Sequence, residues 1–211
     1  MTRAMVITGT DTGIGKTVFA AGLAGALGGY YWKPVQAGTE DGTDSDTVAR
    51  LSGLSPERIL PEAYRLSTPA SPHLAARLDG VEIDPARLAL PEVDGPLIVE
   101  GAGGALVPLT ETLLFADVMA RWQAPVIICA RTGLGTINHC LLTVEALCAR
   151  GVPLAGIVFI GGAHEENERI VPKLAGVPSL GRLPMLDRLD AGILAKALRE
   201  HIDLSKVRAA L

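Results

Sequence analysis

Cysteine is scarce, with only Cys129, Cys140 and Cys148 in 211 residues. Their odd number, the lack of CxxC spacing and their apolar neighbours exclude a disulfide framework and a thiolate metal site, and predict reduced core thiols in a cytoplasmic protein. Long apolar runs are also missing. The longest uncharged stretch, 17–32, has 16 residues and is interrupted by Gly22, Gly25, Gly28 and Gly29, short of the ~20 apolar residues a bilayer span requires. Ahead of Gly9, Arg3 is followed by only five residues, too little for a secretory signal core, so a cytoplasmic location is expected. Charge of one sign is not concentrated anywhere: 19 basic residues stand against 23 acidic ones, for a net −4. No Lys/Arg cluster runs together, which argues against a nucleic-acid partner. Internal repeats and low-complexity tracts are absent too.

What is present is ample core-forming material, 48% hydrophobic against 20% charged. At roughly 150 residues per domain, a single domain over 1–211 is expected. Short apolar runs bounded by Gly and Pro predict strands at 4–8, 30–33, 97–100, 126–130, 154–160 and 179–183. Runs such as Val126-Ile127-Ile128-Cys129-Ala130 lack polar alternation, which suits parallel strands buried on both faces. Helical patterns fall between them at 16–27, 46–51, 73–79, 115–122, 136–150, 165–174 and 191–201. That alternation predicts an α/β fold: an open, mostly parallel sheet with helices on both faces, in three α/β/α layers. The proline-rich middle, from Pro56 to Pro91, is irregular and predicts a surface excursion. Ligands of such sheets bind beyond the carboxyl ends of the strands, so the residues that follow each strand carry the functional signal.

After the first strand comes Gly9-Thr10-Asp11-Thr12-Gly13-Ile14-Gly15-Lys16-Thr17, which opens a helical run. The order strand, glycine-rich loop, helix is that of a phosphate-binding loop. Backbone N–H groups at Gly13 and Gly15 can converge on phosphate oxygens, Lys16 can reach the β/γ-phosphates and Thr17 can hold Mg²⁺. The usual pattern wants glycine six residues before the lysine. Here that place is Thr10, with Gly9 one position earlier.

Lys33 ends the second strand and precedes Pro34, which keeps the backbone at Lys33 extended. By itself it reads as a solvated strand terminus; beside a phosphate loop it reads as a second cation for a transferring phosphoryl group. Asp46, in Thr43-Asp44-Ser45-Asp46, opens a short helix. Capping by Asp44 or Ser45 with a dipole contact from Asp46 is one reading, and metal ligation by Asp46 the other. Glu100 closes Leu97-Ile98-Val99-Glu100 ahead of Gly101-Ala102-Gly103-Gly104, where glycines leave room for a ligand. Thr17, Asp46 and Glu100 together would give Mg²⁺ three oxygen ligands. No histidine has a partner at metal spacing: His73 and His139 read as capping or packing residues, His164 and His201 as surface.

Taken together these segments resemble the dethiobiotin synthetase family of phosphate-loop ATPases. The resemblance rests on Gly9-Thr10-Asp11-Thr12 with Gly15-Lys16-Thr17, Lys33-Pro34-Val35, Ser45-Asp46, Ser71-Pro72-His73, Glu100-Gly101-Ala102-Gly103-Gly104 and Leu134-Gly135-Thr136-Ile137-Asn138-His139. The spacing from Gly9 to Gly15 is itself a trait of that family. It implies ATP-dependent carboxylation of 7,8-diaminopelargonate by CO₂ and closure to a cyclic urea, with ATP and Mg²⁺ as cofactors. It implies Lys33, Lys16 and Thr12 at the reacting groups. Nucleotide contacts fall to Gly13, Ile14, Gly15, Lys16, Thr17 and Val18, to Asp46, to Glu100, Gly101, Ala102 and Gly103, and to Ile160, Gly161, Pro184, Met185 and Leu186. Substrate contacts fall to Lys33, Ala37, Gly135, Thr136 and Asn138, the last three from the partner subunit of a homodimer.

Three positions depart from the family pattern. Gly13 replaces a common Glu, Ala37 a hydroxyl residue, and Ile160 an Asn that reads adenine, so base contacts here are expected from backbone. The alternatives are a related amide- or urea-forming ligase and a partitioning-type ATPase switch. The switch proteins carry a signature lysine five residues before the catalytic lysine, and Asp11 stands in that place.

Overall fold

In a computed structural model of the chain, residues 3–40 and 42–211 are described. In chain order the elements are β1 (Arg3–Gly9), α1 (Lys16–Leu27), β2 (Tyr30–Trp32), β3 (Val35–Ala37), α2 (Asp44–Leu51), β4 (Ile59–Leu60), β5 (Tyr64–Leu66) and α3 (Pro72–Leu78). There follow β6 (Pro96–Glu100), α4 (Phe115–Trp122), β7 (Val126–Arg131), α5 (Thr136–Cys148), β8 (Leu154–Ile160), α6 (Glu165–Ala175), β9 (Ser179–Leu183), α7 (Ala191–His201) and α8 (Leu204–Ala210).

Seven strands form one sheet in the order β4-β2-β6-β1-β7-β8-β9, every neighbouring pair parallel. The expected architecture is therefore observed. Strands without polar alternation bury both faces: Met5, Ile7, Ile98 and Ile127 face a core shared with α1, α2, α7 and α8, while Val6, Val99, Ile128 and Phe159 face one shared with α3, α4, α5 and α6. Burying apolar side chains on both sides of one sheet is what makes three layers the stable solution.

Differences from the sequence expectation are local. Strands β3 and β5 form a separate two-stranded parallel sheet, and β4 adds an edge; with two or three residues each, they are too short to carry a periodic signal. Helix α8 was likewise not anticipated. Helix α2 starts two residues earlier than expected because Thr43 is its N-cap. His164 is exposed, as expected, and it also caps α6, its Nδ1 accepting from the Asn167 amide at 3.3 Å.

Strand register aligns the site. Ile7 lies opposite Glu100 on one side and Ile127 on the other, and Trp32 lies opposite Val99. The phosphate-loop segment, Lys33 and Glu100 thus all leave the sheet abreast of one another at its carboxyl edge.

Candidate active site

The loop between β1 and α1 curls so that Gly15 has φ 95°. A side chain there would be strained by that angle, and its Cβ would crowd Ile160 Cγ2 at 3.2 Å, so the backbone conformation favours glycine. Lys16 opens α1, is 6% exposed, and donates from Nζ to the Asp11 carbonyl at 2.8 Å, lying back across its own loop. Burial, and after it the Lys33 ammonium, lower its pKa below the ordinary lysine value. Thr12 lines the neighbouring cleft; its amide donates to Asp11 Oδ1 at 2.7 Å and its carbonyl accepts from Arg131 Nη2 at 2.9 Å.

Lys33, 4% exposed, directs Nζ at Asp44 Oδ2 at 2.6 Å and at Glu100 Oε1 and the Gly101 carbonyl, each at 3.1 Å. All three ammonium hydrogens are engaged. Burial works against that charge, but Glu100 and Asp44 outweigh it and hold the Lys33 pKa above the ordinary value. Asp44 is likewise penalised by burial, and Lys33 with the Thr17 hydroxyl outweighs it, so its pKa falls below the usual range. Glu100 is 1% exposed and takes a third partner, the fully buried Tyr31, whose hydroxyl donates to Oε2 at 2.8 Å.

The acid expected at this centre is corrected. Asp46 points away, because it sits at the third position of α2 and its Oδ2 accepts from the Thr43 amide at 2.9 Å and the Thr43 hydroxyl at 2.7 Å, while the Asp46 amide donates back. That reciprocal capping box uses the carboxylate on its own helix. Asp44, at the first position of the same helix, faces Thr17 and Lys33 instead. Its amide donates to the buried Gln36 Oε1 at 3.1 Å, which fixes that turn against β3. Asp44 was visible in the sequence only as a capping residue; Gln36 and Tyr31 gave no signal beyond a polar residue beside a predicted strand and an aromatic within one.

Thr17 Oγ1 lies 2.9 Å from Asp44 Oδ1 and 2.8 Å from Glu100 Oε1. One hydroxyl hydrogen serves two carboxylates, so a further positive charge is favoured where they converge. This set of hard oxygen donors fits Mg²⁺.

Two hollows flank the centre. A cleft of about 460 Å³ has Thr12, Lys33, Ala37, Asp44, Ser71 and Gly103 among its lining. A slot of about 220 Å³ on the other side of the loop is lined by Gly13, Ile14, Gly15, Val18, Ile160, Leu183, Pro184, Met185, Leu186 and Leu189. Gly161, at the end of β8, accepts from Arg182 Nη1 at 3.0 Å. Ala102 and Gly103, expected among the nucleotide contacts, line the Lys33 cleft and not the apolar slot. Gly103 has φ 62°, which disfavours a side chain, and a Cβ there would meet Val107 Cγ2 at 2.7 Å and force it to shift.

Gly135, Thr136 and Asn138 are not brought to this cleft within one chain. Gly135 and Asn138 border a separate hollow with Leu134 and Leu141. Thr136 is buried, its hydroxyl donates to the Arg131 carbonyl and its amide to the Gly133 carbonyl, so it fixes the turn and its own donors are committed. Asn138 is exposed.

Solved structures similar to this chain include a ParA family ATPase from Chlorobium tepidum, at TM-score 0.56 and 14% identity over 100% of this chain and 95% of that one, and the cell division ATPase MinD of Pyrococcus furiosus, at TM-score 0.55 and 15% identity over 98% and 100%. At such identity they establish the fold. An AAA domain family model matches residues 3–192. Curated relatives named ATP-dependent dethiobiotin synthetase BioD are 62% identical in Rhodopseudomonas palustris strain HaA2, over 96% of this chain and 95% of that protein. Those of Brucella anthropi are 60% identical over 97% of each, and those of Rhizorhabdus wittichii 66% identical over 93% and 94%. With near full-length identity at this level, and with the loop, the buried lysine and the strand-end glutamate all in place, the chain belongs to the ATP-dependent dethiobiotin synthetase family.

Proposed function

We propose that the chain is a biotin-pathway ligase that uses ATP to carboxylate 7,8-diaminopelargonate with CO₂ and close the product to dethiobiotin, releasing ADP and phosphate. The observation that carries this is Lys33, buried at the strand ends between Asp44 and Glu100, with the phosphate loop on one side and the 460 Å³ cleft on the other. A nucleotide laid along Gly13, Gly15 and Lys16 puts its base in the apolar slot and its terminal phosphate towards Lys33. The diamine takes the cleft, where Thr12 and Ala37 stand at the wall.

One amine adds to CO₂ and loses a proton to give a carbamate. A carbamate oxygen attacks the γ-phosphorus, the bond to the β-phosphate oxygen breaks and ADP leaves. The second amine then attacks the carbonyl carbon of the mixed anhydride and loses a proton, phosphate departs and the urea ring closes. Two anions meet in the phosphoryl step, so its barrier is chiefly electrostatic. Lys16 and Lys33 supply positive charge from this chain, and Lys33 reaches an incoming oxygen by exchanging one of its three present acceptors. Thr17, Asp44 and Glu100 would hold Mg²⁺, which neutralises phosphate charge when bound.

The diamine's carboxylate tail needs an anion site away from the phosphates. The start of α5 at Gly135 and Asn138 offers amides and a positive helix end, and it would be provided across a homodimer, since it borders a different hollow in its own chain. Leu134 and Leu142 are exposed beside it, 108% and 56%, as a covered apolar face would require. A cytoplasmic location suits this substrate set; among the described residues, no helix is long and apolar enough to cross a membrane.

The test is ADP release with and without diaminopelargonate plus bicarbonate. Release that depends on both, with dethiobiotin formed in step, is expected. Release indifferent to the diamine would favour the ATPase-switch reading.

A further inference from the structure

Tyr31 belongs to none of the motifs above, yet its hydroxyl touches the centre. Its side chain is fully buried in the core beneath α1 and α2, and its backbone pairs with Ile98 of β6 and Ile59 of β4. The strand that carries it is thus paired on both sides. Its hydroxyl donates to Glu100 Oε2 at 2.8 Å, while Oε1 alone faces Thr17 at 2.8 Å and Lys33 at 3.1 Å.

A glutamate can turn about its terminal torsion, which is broad and roughly two-fold, and so present either oxygen or both. Glu100 is followed by Gly101, Ala102, Gly103 and Gly104, so no large side chain from that run limits the rotation. The hydrogen bond from Tyr31 restrains Oε2, as those from Thr17 and Lys33 restrain Oε1. With Oε2 turned to Tyr31, the carboxylate presents Oε1 alone to the place where Thr17 and Asp44 converge.

Given the cation site proposed above, we propose that Tyr31 is a positioning residue that keeps Glu100 monodentate and thereby favours Mg²⁺ over Ca²⁺. Mg²⁺ demands near-octahedral, one-oxygen-per-carboxylate coordination, whereas Ca²⁺ accepts bidentate carboxylates and higher coordination numbers. Freed from Tyr31, Glu100 could supply both oxygens, which benefits the larger ion.

The test measures binding, without turnover, of an ATP analogue with an imido β,γ-bridge by calorimetry, in Mg²⁺ and in Ca²⁺. Tyr31→Phe keeps the ring and removes only the hydroxyl, and near-UV circular dichroism confirms the fold. The ratio of affinity in Mg²⁺ to affinity in Ca²⁺ is expected to fall by about tenfold in this variant, the scale seen when partners of metal ligands are removed. In a Glu100→Gln background the same change should shift the ratio by less than about twofold, because Tyr31 acts through Glu100. An unchanged ratio in Tyr31→Phe, with Glu100→Gln itself weakening Mg²⁺-dependent binding, overturns the role of Tyr31 and leaves the cation site standing. If Glu100→Gln leaves Mg²⁺-dependent binding intact, the cation site falls and the role of Tyr31 falls with it.

Discussion

Asp44 and Asp46 stand two residues apart on one helix and have unrelated tasks: Asp44 Oδ2 is 2.6 Å from Lys33 Nζ, while Asp46 Oδ2 is 2.7 Å from the hydroxyl of its own cap, Thr43. Positions one and three of a helix lie about 200° apart around its axis, so only one of them can face the phosphate loop.

That separation gives an expected contrast. Asp44→Asn should raise the Mg²⁺ concentration needed for half-maximal turnover by about tenfold, since it removes a charge from the oxygen cluster. Asp46→Asn should leave that concentration unchanged and lower stability by about 1 kcal/mol through the weakened cap. Magnesium titrations of activity, paired with denaturant melts, separate the two. Equal magnesium shifts in both variants would contradict the geometry.

Lys16→Ala and Lys33→Ala should each lower turnover by roughly 10² or more, as each removes a cation from a transition state in which anions meet. Diamine affinity should survive Lys16→Ala better, because Lys33 and not Lys16 lines the cleft. Steady-state kinetics with calorimetric diamine binding would show this, and turnover within about threefold of the parent for Lys33→Ala would leave that lysine a strand terminus.

Alkaline pH should destabilise the fold through Tyr31 and Lys33. Burial, with Glu100 and Asp44 after it, pushes the Tyr31 phenol well above its ordinary 10.0. Lys33, whose burial is outweighed by Glu100 and Asp44, lies above 10.5. In both cases the unfolded chain gives up the proton first, so the folded state binds more protons and its stability falls as pH rises above about 10. Denaturant unfolding at several pH values from about 8 to 11 should show that decline, with a shallower slope in Tyr31→Phe. An identical slope in the variant would mean that Tyr31 does not contribute.

The slot proposed for the base carries apolar side chains and no polar one. A slot that holds its ligand by shape discriminates by about 10–200-fold, whereas one built on hydrogen bonds reaches about 10⁴ or more. Discrimination between ATP and GTP in kcat/KM is therefore expected below about 200-fold, and Ile160→Asn should widen it. A parent preference near 10⁴ would require base-reading groups beyond this slot.

If α5 serves the partner's cleft, mixing should restore activity. Inactive Lys16→Ala protein combined with a folded, inactive Asn138 variant forms about half mixed dimers, each with one site built from intact halves, so about a quarter of parent activity should return. No recovery after demonstrated subunit exchange would mean that each chain builds its own site.

The phosphate loop, Lys33 and Glu100 were legible in the sequence because each is tied to a local signal: a strand pattern that ends, then glycines or a proline whose backbone preference needs no distant partner. The six main strands and most helix bounds were legible for the same reason, since uninterrupted apolar runs and helical periodicity are local properties. The choice of Asp44 over Asp46 was not. Both fit the start of a helix, and which one meets Lys33 depended on Thr43 taking the cap and on how α2 is rotated against α1 and β2. Tyr31 was equally silent, because an aromatic in an apolar strand has many uses, and its hydroxyl acquired one only when parallel pairing carried Glu100, from 69 residues away, to within 2.8 Å. Local chemistry fixes which residues can bind phosphate and charge; the register of β2, β6 and β1 decides which of them meet.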